Sequence, residues 1–396
     1  MVIGSFMRTL RWPTLQGRRI ELDFVRGIAI LLACGWHFNQ VQTGIAPLDW
    51  LLTPGRKAGW AGVDLFFVLS GFLIGGLLFS EFKHEHGFSP SRFLIRRAFK
   101  IWPVLYTFLL LQLILNQHPW ESYFFQCLFH IQNYLVTPLS HLWSLAVEEQ
   151  FYLGFAIVYT MMIRIAGSPR AMPWFIGALI VLPLIGRSIE VASHVDGVVM
   201  MQTQYRIDAL ACGVGLQYIH SFHRLSFERI TSYKLPLAVC WISGAMVTSF
   251  SYVNGDFMHS IGLTIVYLSA AAFILFCYNL TPRVLSSWPV KVISYIGLFS
   301  YAIYVCQYAA VRLAVSLADK LHLSGTSSTV LKIALDYSGA FVVGVIVTLM
   351  VERPMLTLRN FLFPNALPHL RRITLSRGQP ATGDRAQQRM PADGLA

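Results

Sequence analysis

The chain has 396 residues, of which 55% are hydrophobic and only 13% are charged. Soluble domains carry about 25% charged residues, so this composition excludes an ordinary soluble protein and predicts an all-α, polytopic membrane protein built as one bundle. The formal net charge is +12, but the basic residues separate apolar runs instead of forming one patch. Membrane topology therefore explains the charge, and no nucleic-acid partner is predicted.

Apolar runs near the length that a bilayer requires, about 20 residues, recur along the whole chain. They predict about ten transmembrane helices, near 24–41, 61–82, 99–116, 144–163, 173–193, 204–219, 235–253, 258–280, 292–317 and 330–351. The apolar stretch 122–136 is shorter and is predicted to be re-entrant or interfacial. The domains expected are 1–23, a cytoplasmic N-terminal segment; 24–354, the transmembrane domain; and 355–396, a disordered cytoplasmic tail.

The distribution of Lys and Arg predicts the orientation of these helices. With both termini in the cytoplasm, 24 of the 31 Lys and Arg residues fall in the cytoplasmic segments and their edges. This bias follows the positive-inside rule and predicts a multi-pass protein of the plasma membrane.

The first two predicted spans carry ionisable residues, which are rare in a membrane and typical of functional sites. In ELDFVRGIAILLACGWHF, Arg26 and His37 are eleven residues apart, so they share one helix face about 16 Å apart along the axis. Asp64 opens the second span, where a hairpin would bring it to the depth of His37. A carboxylate there would fix the imidazole tautomer and leave one nitrogen free as a base; compensation of the helix dipole is the alternative. The small residues that follow predict only close helix packing: Ser70, Gly71, Gly75 and Gly76.

The third span begins with a basic cluster in RRAFKIWP. Arg96, Arg97 and Lys100 would either anchor the cytoplasmic edge or bind a phosphorylated ligand, and the sequence leaves both interpretations open.

The stretch HLWSLAVEEQFYL opens the fourth span. Ser144 can cap this helix, and Glu148 and Glu149 follow near its first turns. Adjacent helix positions diverge by about 100°, so only one of the two glutamates can fully face a given cavity.

The sixth span opens with YRIDALACG and carries Arg206 and Asp208. An ion pair between Arg206 and a glutamate of another helix is one structural explanation for these charges.

The ionisable residues divide between the two ends of the predicted bundle. This pattern predicts an outer polar centre and an inner basic site for one ligand that spans the core. The outer group comprises His37, Asp64, Glu148, Glu149, Arg206 and Asp208; the inner group comprises Arg26, Arg96, Arg97 and Lys100.

These segments resemble the bacterial acyltransferase-3 family of integral membrane acyltransferases. The matching segments follow the family's order over residues 20–355: LDFVRGIAILLACGWHF, GVDLFFVLSGFLI, RRAFKIWP, HLWSLAVEEQFYL, YRIDALACG, FSYAIYVCQ and VERP. The resemblance implies transfer of an acyl group, commonly acetyl, from cytoplasmic acyl-coenzyme A as donor substrate. The acceptor implied is a hydroxyl of an exopolysaccharide, a lipopolysaccharide sugar or a lipid-linked sugar, at the bacterial inner membrane.

The resemblance, together with a mechanistic hypothesis built on it, assigns roles to individual residues. His37 would be the general base, with Asp64, Glu148 and Glu149 as further catalytic residues and no metal or permanently bound cofactor. The donor would be held by Arg26, Arg96, Arg97 and Lys100. Substrate would contact Trp143, Ser144, Arg206, Asp208, Tyr304 and Gln307.

Two positions depart from the family pattern. Lys100 stands where the family usually has arginine, which keeps the charge but loses bidentate phosphate geometry. Gln307 follows Tyr304 where the family pattern usually ends in histidine, and glutamine cannot titrate. Gln307 is therefore expected to be a polar lining residue.

Three other hypotheses stay open at the level of sequence. Cys34 lies one helical turn before His37 and could accept the acyl group first. A transporter or flippase of a lipid-linked sugar would also carry intramembrane charges. A non-catalytic partner of a glycan-export complex is the third, because Gln307 replaces a titratable residue.

Overall fold

The computed structural model describes residues 12–85, 89–115, 119–166, 169–193, 201–308, 311 and 325–363. Within these ranges the chain is helical and contains no β-strand, so the predicted all-α class is confirmed there. The α-helices are α1 (Ile20–Phe38), α2 (Ala46–Ala58), α3 (Gly62–Glu85), α4 (Pro90–Ile114), α5 (Phe124–Leu128), α6 (Trp143–Ala166), α7 (Met172–Ala192), α8 (Thr203–Phe222), α9 (Arg224–Ser232), α10 (Lys234–Phe250), α11 (Leu263–Cys277), α12 (Pro282–Leu285), α13 (Trp288–Leu298), α14 (Ser300–Tyr308), α15 (Gly325–Val347) and α16 (Arg353–Leu362).

Every predicted span contains a helix, but not every helix is long and apolar enough to cross a membrane. In the described ranges five helical segments are, or up to seven when two bent helix pairs each count as one span. The chain is therefore a multi-pass helical membrane protein, and the predicted count of about ten spans is not confirmed. Helix α1 is not among the five, and it carries Glu21, Asp23 and Arg26 in its first two turns.

Two boundary regions differ from a simple succession of spans. The stretch 122–136 contains only the short helix α5, followed by turns, so it does not form a continuous spanning helix. At the other end, α16 covers the first eight residues of the predicted disordered tail, and 364–396 lie outside the described residues.

Helices α3 and α8 cross in direct backbone contact. A Cβ atom on Gly71 would lie 2.0 Å from the carbonyl oxygen of Leu210, and one on Gly213 would lie 2.0 Å from that of Val68. The predicted small-residue face is thus confirmed at Gly71. Asp64 and Arg206 each stand seven residues before the glycine of their own helix, so this crossing brings their side chains together.

A second close crossing joins α1 to α13. A Cβ atom on Gly27 would lie 2.0 Å from the carbonyl oxygen of Ile293, and one on Gly297 would lie 2.0 Å from that of Asp23. The chain then bends by 64° between α13 and α14. The bend directs Tyr301 and Tyr304 toward the space between α1, α3 and α6, where the candidate site lies.

Candidate active site

Two cavities lie side by side in the bundle and have Val63 and Tyr304 as common walls. The first, named here the basic cavity, measures about 140 Å³ and is lined by Arg18, Arg26, Arg97, Lys100, Glu148 and Glu352, among others. The second, named the histidine cavity, measures about 300 Å³ and is lined by Trp36, His37, Trp60, His141, Trp143 and Arg206, among others. The predicted division between a basic site and a histidine site is therefore present, as two adjoining chambers.

Glu148 belongs to the basic cavity and not to the outer group in which the sequence placed it. Its carboxylate accepts a hydrogen bond of 2.7 Å from Tyr152 Oη. Tyr152 Oη in turn lies 2.5 Å from Ser70 Oγ, and the guanidinium of Arg97 lies 4.9 Å from the Tyr152 ring centroid. A hydrogen-bonded chain thus runs from Ser70 through Tyr152 to Glu148 in the cavity wall. The prediction that Ser70 serves only helix packing is wrong.

Glu149 points away from this cavity. One of its carboxylate oxygens accepts a hydrogen bond of 3.0 Å from Trp102 Nε1 on α4. The prediction that only one of the adjacent glutamates faces a given cavity is confirmed, because 100° of helical rotation separates them. The geometry does not support a catalytic role for Glu149.

The cations of the basic cavity are only partly compensated. Arg18 donates two hydrogen bonds, of 2.7 and 2.8 Å, to the buried carboxylate of Asp23, and Arg26 donates to the same group. Four cations line the cavity against two lining carboxylates and Asp23 behind them, which leaves one positive charge in excess. Sequence reasoning missed Arg18, Asp23 and Glu352, although Glu352 lies inside the VERP segment.

The predicted basic cluster on α4 divides between two surfaces. Arg97 and Lys100 line the basic cavity, whereas Arg96 does not. Arg96 donates a hydrogen bond of 3.1 Å to the carbonyl oxygen of Phe363, just after α16. The predicted donor-binding role of Arg96 is therefore not supported, because its place in the helix turns it toward the C-terminal segment.

His37 lies in the histidine cavity, but its partner is not Asp64. Tyr308 Oη lies 3.0 Å from His37 Nδ1. Asp64, 1% exposed, instead accepts a hydrogen bond of 2.7 Å from Arg206 Nη2. The expected His37–Asp64 pair is wrong, because the α3–α8 crossing joins Asp64 to Arg206. The suggested pairing of Arg206 with a glutamate is wrong for the same reason.

Arg206 and Asp208 have different environments although they are two residues apart. Arg206 lines the histidine cavity, with its guanidinium 5.2 Å from the Trp143 ring centroid. Asp208 lines neither cavity; it accepts hydrogen bonds from Arg187 Nη1 at 2.7 Å and from the amide of Ala209. The predicted substrate contact of Asp208 is thus corrected to a structural ion pair with Arg187, which is fully buried.

Tyr304 connects the two cavities by hydrogen bonds. Its hydroxyl donates to the carbonyl oxygen of His141 at 2.6 Å and lies 2.7 Å from Ser144 Oγ. Ser144 is the second residue of α6 and binds Tyr304, so the predicted capping role is wrong. His141 is a further cavity residue that sequence reasoning did not single out, although it opens the HLWSL segment.

Gln307 and Cys34 line neither cavity. Gln307 is fully buried, and its amide oxygen and nitrogen have no hydrogen-bond partner among the described residues. The expectation that Gln307 lines the site is not supported. In the described ranges no three His, Cys, Asp or Glu side chains are grouped to hold a metal ion.

The fold and the site define a class: a multi-pass helical membrane protein with two adjoining internal chambers that carry ionisable side chains. A family model described as "Acyltransferase domain" matches residues 19–353. The chain therefore belongs to the acyltransferase-3 family, as its sequence motifs indicated.

Curated relatives agree with this assignment. The chain is 25% identical over 364 residues to the peptidoglycan O-acetyltransferase OatA of Listeria monocytogenes, covering 85% of this chain and 55% of that protein. It is 27% identical over 316 residues to the O-acetyltransferase OatA of Staphylococcus aureus, covering 72% of this chain and 49% of that protein. The "Putative peptidoglycan O-acetyltransferase YrhL" of Bacillus subtilis is 25% identical over 326 residues, covering 74% of this chain and 48% of that protein. The chain thus spans about half the length of these relatives, and no solved structure matches it.

Proposed function

We propose that this protein is a membrane O-acyltransferase that moves an acyl group, commonly acetyl, from acyl-coenzyme A to a carbohydrate hydroxyl. The observation that carries the proposal is the common wall of the two cavities. A donor held by its phosphates in the basic cavity would present its thioester at Val63 and Tyr304. An acceptor in the histidine cavity would reach the same point from the other side.

The basic cavity suits a phosphorylated donor. Arg18, Arg26, Arg97 and Lys100 exceed the lining carboxylates in charge, and guanidinium groups bind phosphate oxygens strongly. Lys100 contributes charge without bidentate geometry. Because the cavity has more cations than carboxylates, it would bind an anionic ligand more strongly than a neutral one.

His37 is the proposed general base. With hydrogen on Nδ1 directed to Tyr308 Oη, the lone pair of Nε2 is free to accept the acceptor's hydroxyl proton. The oxygen attacks the thioester carbonyl carbon, the carbon–sulfur bond breaks, and the imidazolium returns its proton to the leaving thiolate. Base assistance of this kind contributes about 10²–10⁴ in rate. Because Cys34 lines neither cavity, direct transfer is favoured over an acyl-cysteine route.

The acceptor to test first is peptidoglycan, because two of the relatives carry it in their names. The proposed location is the inner membrane with both termini in the cytoplasm, which the Lys and Arg distribution favours. The basic cavity would then receive donor from the cytoplasm, and the histidine cavity would face the glycan.

The test is transfer of radiolabel from acetyl-coenzyme A to peptidoglycan fragments by protein reconstituted in nanodiscs. We expect labelled glycan from the native protein and a loss of at least 10²-fold in His37→Gln. His223→Gln, at an exposed histidine after α8, is the matched control. Undiminished transfer by His37→Gln would refute the base assignment. Passage of sugar across proteoliposomes without any label on it would instead identify a transporter.

A further inference from the structure

The last helical segment of the described chain is too long to lie wholly within the core of a membrane. From Gly325 to Leu362 it runs for 38 residues, through α15, the π-helical turn Thr348–Glu352 and α16. At 1.5 Å per residue this length is about 57 Å, whereas the hydrocarbon core of a bilayer is about 30 Å thick. The apolar run of this segment ends near residue 351, so α16 is placed in the headgroup layer.

Helix α16 carries an exposed apolar stripe. Leu358, Phe361 and Leu362 are 41%, 79% and 50% exposed. Their spacing of three and four residues places them on one face of the helix. Such a face, on a helix at the level of the headgroups, is typical of an amphipathic helix that turns its apolar side toward the acyl chains.

Two arginines from different helices meet beside this stripe. Arg359 of α16 and Arg96 of α4 are both half-buried, and the charges of Arg96 and Arg97 act on the Arg359 guanidinium. The end of α16 is held against α4 by the hydrogen bond from Arg96 to the carbonyl of Phe363 and by the rings of Phe99 and Phe363, whose centroids are 5.9 Å apart. Like charges held together in this way repel, and an anion between them would relieve the repulsion.

The hydrogen bonds of these two arginines satisfy donors without cancelling charge. Arg359 donates from Nε at 3.2 Å and from Nη2 at 2.9 Å to the amide oxygen of Asn360. Arg96 donates to a backbone carbonyl oxygen. Both acceptors are neutral, and a guanidinium has five N–H donors, which is more than these bonds use. Phosphate oxygens are the acceptors that such a pair of guanidinium groups binds most strongly.

We infer that Arg96 and Arg359 bind the phosphate of an anionic phospholipid, at a site formed by α4 and α16. The phosphate lies between the two guanidinium groups, and the acyl chains follow Leu358, Phe361 and Leu362 into the bilayer. A soluble phosphate would gain nothing from this apolar stripe, and a zwitterionic lipid would bring its ammonium group against the arginines. Basic pockets between helix ends at the cytoplasmic side of a membrane bind such headgroups. The inference does not depend on the transfer reaction.

The experiment measures saturable lipid binding. Radiolabelled dioleoyl phosphatidylglycerol is bound to the full-length protein in detergent, and unlabelled phosphatidylglycerol, dioleoyl phosphatidylcholine or inorganic phosphate is added as competitor. Because each arginine near an anionic lipid contributes about fivefold in affinity, we expect phosphatidylglycerol to compete at least about tenfold better than phosphatidylcholine. Equal competition by the two lipids would overturn the inference. Displacement by inorganic phosphate at the same concentration as phosphatidylglycerol would also overturn it, because the site would then belong to a soluble anion.

Variants of the same protein locate the site. Arg359→Gln and Arg96→Gln are each expected to weaken phosphatidylglycerol binding about fivefold, whereas Arg359→Lys should keep most of the affinity because the charge remains. Phe361→Ser should weaken the binding of both lipids. Arg283→Gln, at an exposed arginine of α12, is the matched control and should leave the affinity unchanged. Unchanged affinity in folded Arg359→Gln, or an equal loss in Arg283→Gln, would show that only the general positive charge of the protein attracts the lipid.

Discussion

Glu148 and Glu149 show how one residue of helical rotation separates two roles. Glu148 faces the basic cavity and is bound by Tyr152, whereas Glu149 is bound by Trp102 outside it. We predict that Glu148→Gln lowers acetyl transfer at least tenfold, because a neutral amide is a weaker acceptor for Tyr152 than a carboxylate and loosens the hydrogen-bonded chain to Ser70 in the cavity wall. Glu149→Gln should stay within about threefold of the native rate. The measurement is the initial rate of each variant at saturating acetyl-coenzyme A. A larger loss in Glu149→Gln than in Glu148→Gln would contradict the placement of Glu148 in the active cavity.

Asp64 holds an ion pair at the opening of α3, so its removal is a test of stability and not of base chemistry. Breaking a buried pair by removing one partner costs about 3–5 kcal/mol. We predict that Asp64→Asn lowers the thermal unfolding midpoint strongly, while Asp49→Asn, in the partly exposed Asp49–Arg56 pair of α2, lowers it much less. The pH profile of transfer should keep its midpoint in Asp64→Asn. A shifted midpoint would instead indicate that Asp64 acts on His37.

At the scale of helices, the α3–α8 crossing determines which charges meet. A methyl group on Gly71 would meet a backbone carbonyl, which cannot yield as a flexible side chain can. We predict that Gly71→Ala costs about 1–3 kcal/mol of stability, the usual range for overpacking. Gly154→Ala on α6 is the control, since nothing lies within 4 Å of its added Cβ and alanine favours helix. Equal unfolding midpoints for the two variants would show that the helices separate at little cost.

This crossing also marks the limit of what the sequence could predict. Apolar runs located the helices, and ionisable residues inside them located the site at His37, Arg97 and Glu148. A single sequence shows which residues share one face of a helix, but it does not show which residues of two different helices lie opposite each other. The pairing of Asp64 with Arg206, and of Asp208 with Arg187, therefore needed the three-dimensional packing. Arg18 was missed because an arginine before the first span also reads as a topology signal.

At the scale of the whole molecule, the proposed orientation can be measured by cysteine labelling. Val41 is 59% exposed in the loop after α1, and Ser286 is exposed in the segment before α13. In a Cys240→Ser background, which removes the exposed native thiol, we predict that a membrane-impermeant maleimide labels Val41→Cys in intact spheroplasts. Ser286→Cys should react only after permeabilisation. The reverse labelling pattern would show that both termini lie outside the cytoplasm.

The wall between the two chambers has a consequence for the cell's energy supply. In the proposed orientation the two cavities enter the membrane from opposite faces, and a merger of the two would open a leak for the ion gradient. Tyr304, tied to Ser144 and to the backbone at His141, stands between them with Val63. Only the small reacting end of a donor has to pass this plug, so in the proposed reaction the acyl group crosses in one direction and a single proton, returned by His37 to the thiolate, crosses in the other.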